Sequence, residues 1–119
     1  MIYTKSNALN SLKPNAEWAW NGDEYSGLTW LDSGSAPTES EIDAEVTRLN
    51  NAESMRLLRI ERDKRLTDCD WRASSDLTIS DAWKTYRQSL RDLPASASPS
   101  LDSYGDLDLT SVTWPTEPT

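Results

Sequence analysis

Residues 38–67, TESEIDAEVTRLNNAESMRLLRIERDKRLT, decide the fold of this chain. The opening T-E-S-E reads as a capping box: the Thr38 hydroxyl can accept the backbone N–H of Glu41 while the Glu41 carboxylate reaches back. Glu39, Glu41 and Asp43 suit the positive end of a helix dipole. Ile42, Val46 and Leu49 recur at i, i+4 and i+7; Leu57 and Ile60 are spaced by three, and Leu58 lies eight before Leu66. Apolar positions on a helix face recur in this way. The stretch predicts a long helix from about 39 to 67, weakened at Asn50-Asn51, whose side chains compete for backbone hydrogen bonds. Arg56, Arg59, Arg62 and Arg65 form a positive stripe along it. With Glu53, Glu61 and Asp63 close by, the stripe reads as a solvated face.

Working toward the C-terminus, Asp68 to Ser75 is a connector that contains Trp71. Ser80 caps a second helix on which Trp83, Tyr86 (or Arg87) and Leu90 share a face, and Pro94 ends it. The connector between about Thr67 and Ser80 is short, which favours an antiparallel pair with Trp83 facing Leu58 or Leu66. Arg87 and Arg91 are four apart, and like charges repel at that spacing. A carboxylate must compensate, and Asp63, Asp70 and Asp76 are the candidates. Residues 95–111 hold many Ser, Pro, Asp and Gly and few apolar groups, so they read as a flexible linker. The run VTWPTEPT at 112–119 is an extended tail, because its prolines exclude a helix.

Toward the N-terminus, Ser6 caps a short helix, Asn7 to Leu12, stopped by Lys13-Pro14. In Ala16-Glu17-Trp18-Ala19-Trp20 the two indoles fall on one face of a strand. A loop of about six residues leads to a second strand, Leu28-Thr29-Trp30-Leu31. Such a hairpin is not stable alone, so its Trp face needs a partner surface. The expected fold class is α+β, mainly α. It comprises a small N-terminal Trp-rich β-hairpin with a short helix (1–36), a helical hairpin (37–94), and a linker with an extended Trp-Pro tail (95–119).

Composition narrows the function. The chain has 119 residues, six Trp, four Tyr and no Phe, so these aromatics must form much of any core or interface. No His is present, which excludes Ser-His-Asp and Cys-His nucleophile systems and His-ligated metals. Cys69 is the only cysteine; Asp68 and Asp70 flank it and disfavour its thiolate. The net charge of -8 argues against nucleic-acid binding. No apolar run approaches a membrane span, and the N-terminus lacks a signal-peptide core. A reducing cytoplasm is therefore the expected setting. The run Asp102, Asp106, Asp108 near Gly105 lacks the order of a calcium loop, with Thr113 where a bidentate Glu would be needed. Twenty acids make carboxylate pairs inevitable, and little room remains for a substrate cleft. No enzyme activity, cofactor or metal is expected.

Taken in order, LRIERDKRL (58–66), TDCDW (67–71), AWKTYRQSLRDLP (82–94) and VTWP (112–115) resemble the phage tail assembly chaperone family. The family pattern is an R-x-x-R-D helix, a D-W connector, a W-x-x-Y-R-x-x-L-R-D-L-P helix and a terminal W-P, and it covers about residues 56–115. The segment Lys5 to Trp30 resembles the N-terminal part of cyanophage members. The T-D-C-D-W connector departs from the usual single acid before Trp, which leaves the role of that acid open between Asp68 and Asp70.

The resemblance implies a protein that binds a phage tail-fibre or tail protein and assists folding, trimerisation or attachment of the fibre. It would act in the host cytoplasm, and the pattern allows several copies around a trimeric fibre. The alternative is a permanent structural subunit of the tail or fibre, retained in the virion. The partner-binding candidates are Trp18, Trp20, Trp30, Trp71, Arg87, Arg91, Trp114 and Pro115. Trp114, on a flexible spacer, is expected to dock into a groove of the fibre or against the Trp18/Trp20/Trp30 hairpin of its own or a neighbouring copy.

Overall fold

A computed structural model describes residues 2–74 and 77–118 of the chain. The described elements are three α-helices and one antiparallel hairpin: α1 (Lys5–Leu12), β1 (Trp18–Trp20), β2 (Leu28–Trp30), α2 (Glu39–Asp68) and α3 (Asp81–Ser96). The α+β, mainly α class stands. Two compact units divide the chain, Met1–Ala52 and Glu53–Thr119, and the division falls inside α2.

In the first unit, α1 begins earlier than the Ser6 cap predicts. Thr4 is the cap: its hydroxyl accepts the Asn7 N–H, and the Asn7 side chain accepts the Thr4 N–H at 2.9 Å. This reciprocal box fixes the start at Lys5. Ala8 and Leu9 of α1 bury completely against Ile42 of α2. The hairpin pairs Trp18 with Trp30, Ala19 with Thr29 and Trp20 with Leu28. Its period-2 alternation turns Trp18, Trp20, Leu28 and Trp30 inward, half-buried, and leaves Ala19 and Thr29 exposed. The surface that the Trp face requires is thus supplied within the unit, by Ala8, Leu9 and Ile42. The hairpin loop closes through a 3-10 turn at Tyr25–Gly27, and the Asn21 N–H donates to the Gly27 carbonyl at 3.0 Å. A Cβ at Gly27 would collide with the Asn21 carbonyl oxygen, so only glycine fits there.

The long helix runs unbroken through Asn50-Asn51. Asn50 turns its amide outward from the helix onto the Tyr3 backbone, accepting its N–H at 2.7 Å and donating to its carbonyl at 3.3 Å. That second partner removes the competition expected from Asn50. At the N-terminus the Thr38 hydroxyl accepts the Glu41 N–H at 3.2 Å, as the T-E-S-E motif predicts. Glu45, buried in this unit, accepts two guanidinium bonds from Arg48 and the Ser11 hydroxyl at 2.6 Å. These bonds, Arg48 first, lower its pKa from 4.5 to about 2.

In the second unit the C-terminal part of α2 and α3 run antiparallel. Leu66 and Cys69, at the end of α2, pack with Trp83, Tyr86 and Leu90 from the start and middle of α3. Leu58, earlier in α2, packs with Leu93 near the end of α3. Trp83 therefore meets Leu66, one of its two expected partners. Ser80 caps α3 by accepting the Trp83 N–H at 3.3 Å. Pro94 does not end the helix, which continues to Ser96 and closes with the Ala97 N–H on the Leu93 carbonyl. A proline this near the end forfeits one hydrogen bond, to the Leu90 carbonyl, and the last turn survives that loss. In the arginine stripe Arg56 pairs with Glu53, Arg62 with Asp63 and Arg65 with Glu61. Arg56 and Arg59 are solvated as read, but Arg62 and Arg65 are half-buried, so the face is only partly solvated.

The segment expected as a flexible linker holds defined structure. Leu101 and Leu107 form a bridge, and Asp102 accepts the Tyr104 and Asp106 N–H groups across the intervening turn. Gly105 in this turn has φ 82°, a conformation that favours glycine. Asp108 then caps a 3-10 turn at Leu109–Ser111. Ser54 of α2 donates to the Pro99 carbonyl at 3.0 Å. Val112 buries with Leu58 and Leu93. The side-chain caps of Asp102 and Asp108 order a stretch too poor in apolar groups to order itself.

Candidate partner-binding site

The connector from α2 to α3 builds the distinctive chemistry of the second unit. After α2, a 3-10 turn at Asp70–Ala73 reverses the chain and places Trp71 and Arg72 beside the first turn of α3. Arg87 reaches into this junction from α3 and is only 8% exposed. Its guanidinium donates to the Leu66 carbonyl at 3.1 Å, to Cys69 Sγ at 3.1 Å and to Asp70 at 2.9 Å. Burial works against its charge, but the Asp70 carboxylate and the Cys69 sulfur outweigh burial and raise its pKa. Arg87 thus ties the end of α2 to the connector: the Leu66 carbonyl, in the last turn of the helix, accepts both the Cys69 N–H and the Arg87 guanidinium. Asp70, not Asp68, is the acid that pairs, which resolves the alternative left by T-D-C-D-W.

Cys69 is buried at the same junction, its thiol against the Arg65 and Leu66 carbonyls. It serves as a small core residue. Arg91 differs from Arg87. It is exposed, its guanidinium meets Gln88 at 3.4 Å, and its backbone carbonyl faces Arg62. Asp63, a candidate partner, is taken by Arg62. Asp76 lies outside the described residues.

Arg72 contacts two indoles. Its guanidinium carbon stands 3.9 Å from the Trp83 ring centroid and 4.4 Å from that of Trp71. Trp83 is a core residue, 7% exposed, with Tyr86 edge-on to it at 5.5 Å. Trp71 keeps 57% of its surface open to solvent. A cavity of about 290 Å³ opens here, lined by the two indoles, Arg72, Leu77, Ile79 and neighbouring backbone. Neither Arg72 nor Leu77 was a sequence candidate. The signal available for Arg72 was its position directly after the D-W motif, which puts a cation within reach of an indole.

The other candidates take different positions. Trp18, Trp20 and Trp30 are half-buried in the first unit, and Trp20 and Trp30 donate their indole N–H groups to the Glu24 and Gly34 carbonyls. Trp114 lies against the second unit's own cores, with its N–H on the Leu109 carbonyl at 3.2 Å and Arg65 4.1 Å over its ring. Pro115 borders an open groove beside Tyr86 and Ser89. The structure brings together Trp71 and Arg87 at one junction and leaves the hairpin tryptophans in another unit. No described helix is long and apolar enough to cross a membrane. Among the described residues no cluster of three or more His, Cys, Asp or Glu is placed to hold a metal ion.

The sequence model of the phage tail assembly chaperone protein matches residues 55–119, more than half of the chain and nearly all of the second unit. No curated protein and no solved structure matches the chain.

Proposed function

Because the chain belongs to the phage tail assembly chaperone family, we propose that it binds a tail-fibre subunit and assists its folding, trimerisation or attachment, using the helical unit as its binding body. A family of assembly chaperones works on phage tail proteins inside the host cell. The fibre as partner is our narrower reading. The observation that carries it is Trp71: a large aromatic, more than half exposed, held on a connector that the Arg87 bonds fix. Large exposed aromatics on rigid supports are the usual anchors of protein interfaces. Trp71 also lies within the segment that the family model matches.

Co-expression of the tagged chain with its cognate tail-fibre subunit, followed by affinity purification, tests the reading. A complex of the two is the expected result. Recovery of the chain with a different tail protein and no fibre subunit would remove the fibre from the proposal. Mass spectrometry of purified virions then separates a departing chaperone, absent from the particle, from a permanent tail subunit present in stoichiometric amount.

A further inference from the structure

The Trp71–Arg72–Trp83 stack does more than display an aromatic. Two indoles lie against the Arg72 guanidinium, their ring centroids 4.4 and 3.9 Å from its carbon. Among the described residues its N–H groups have no hydrogen-bond or ion-pair partner. The N–H groups of a guanidinium lie along its edge, and that edge matches a carboxylate in geometry and charge. The indoles fix its plane, so a binding carboxylate orders little that is not ordered already.

The surroundings define what accompanies the carboxylate. Leu77 is 50% exposed, Ile79 is half-buried, and among the described residues the lining holds no acidic side chain. The cavity, about 290 Å³, is at or below the lower limit of small-molecule pockets, so it suits one or two side chains rather than a whole metabolite. On a chain of net charge -8, this is a cationic spot with apolar walls.

We infer that this groove is a carboxylate-reading dock, and that its occupant is an extended segment of the tail-fibre subunit in which an Asp or Glu adjoins an apolar residue. The carboxylate takes the edge of Arg72, and the apolar neighbour covers Trp71 and Leu77. The inference rests on the fibre reading above and adds its site and recognition chemistry.

The test uses the full-length chain in two arms. In the first, indole N–H resonances are followed during titration with the peptide Gly-Ser-Leu-Asp-Leu-Ser-Gly, its ends blocked, and with the same peptide carrying Asn in place of Asp. Shifts at Trp71 and Trp83, with at least about tenfold weaker binding of the Asn peptide and of the Arg72→Gln chain, are expected. Equal binding of both peptides, or no shift at either indole, overturns the dock. In the second arm the co-expressed fibre subunit is captured on wild-type, Arg72→Gln and Leu77→Ala chains matched for circular dichroism. Loss of capture with both variants is expected. Undiminished capture by both overturns the dock and leaves the fibre reading standing. Failure of the wild-type chain to capture the subunit overturns the fibre reading itself. Sedimentation of the chain alone completes the set: a dimer abolished by Arg72→Gln would assign the groove to a second copy and overturn the fibre segment as occupant.

Discussion

The two units use the same residue type in opposite ways. The three tryptophans of the first unit turn toward Ala8, Leu9 and Ile42, and two of them donate their indole N–H groups to backbone carbonyls nearby. In the second unit Trp83 fills the core while Trp71, twelve residues before it, stays open to solvent. The arginines repeat the contrast. Arg87 is buried with three partners, and Arg91, one turn later, lies on the surface. Residue type alone therefore does not distinguish a core position from an exposed one; the partners that the local chain supplies do.

The largest expected effect comes from the second unit's core. Trp83→Ala should cost about 3–5 kcal/mol in urea unfolding, because a full indole leaves a packed site. Trp20→Ala in the first unit should cost less, about 1–3 kcal/mol, since that indole is only half-buried. Equal costs would erase the distinction between a core tryptophan and a covering one. Next, Arg87→Met should destabilise by about 1–3 kcal/mol by removing the guanidinium bonds to the Leu66 carbonyl, Cys69 Sγ and Asp70. Arg91→Met should stay within about 0.5 kcal/mol. A larger effect at Arg91 than at Arg87 would invert the comparison.

Much of this fold was legible in the sequence. The T-E-S-E start, the apolar spacing of α2, the Ser80 cap and the Trp-Xaa-Trp strand are local signals, and the structure contains the elements they predict. Two helix boundaries were missed because a competing local bond decided them: the Thr4–Asn7 box started α1 early, and the last turn of α3 absorbed Pro94. The order in residues 98–112 was hidden for a different reason. It comes from Asp102 and Asp108 side chains capping their own backbone, which hydrophobic patterning does not register. At the candidate site Trp71 and Arg87 were visible as residue types. The contact of Arg72 with both Trp71 and Trp83 was not, because it requires the connector to fold back on α3.

Acid should affect the two units alike. The Glu45 carboxylate in the first unit and the Glu53 carboxylate in the second are each lowered from 4.5 to about 2, mainly by hydrogen bonds from Arg48 and Arg56. A depressed carboxylate stabilises the folded state above its unfolded value, and the contribution fades as pH falls from about 4.5 toward 2. Denaturant midpoints should therefore drop across that window. The drop should shrink in Glu45→Gln for the first unit and in Glu53→Gln for the second. An unchanged slope in both variants would mean that these carboxylates are not what the acid reaches.

The smallest effect on stability is expected at Trp71, the proposed anchor. Trp71→Ala removes a side chain that is mostly exposed, and its unfolding free energy should stay within about 0.5 kcal/mol of wild type. The decisive measurement is the equilibrium affinity of the purified tail-fibre subunit for this variant, compared with wild type and with Trp20→Ala under conditions where all three chains are folded. The account predicts binding at least about tenfold weaker for Trp71→Ala, and near wild-type binding for Trp20→Ala. Wild-type affinity in Trp71→Ala, or loss confined to Trp20→Ala, would contradict it and move the binding surface to the hairpin unit.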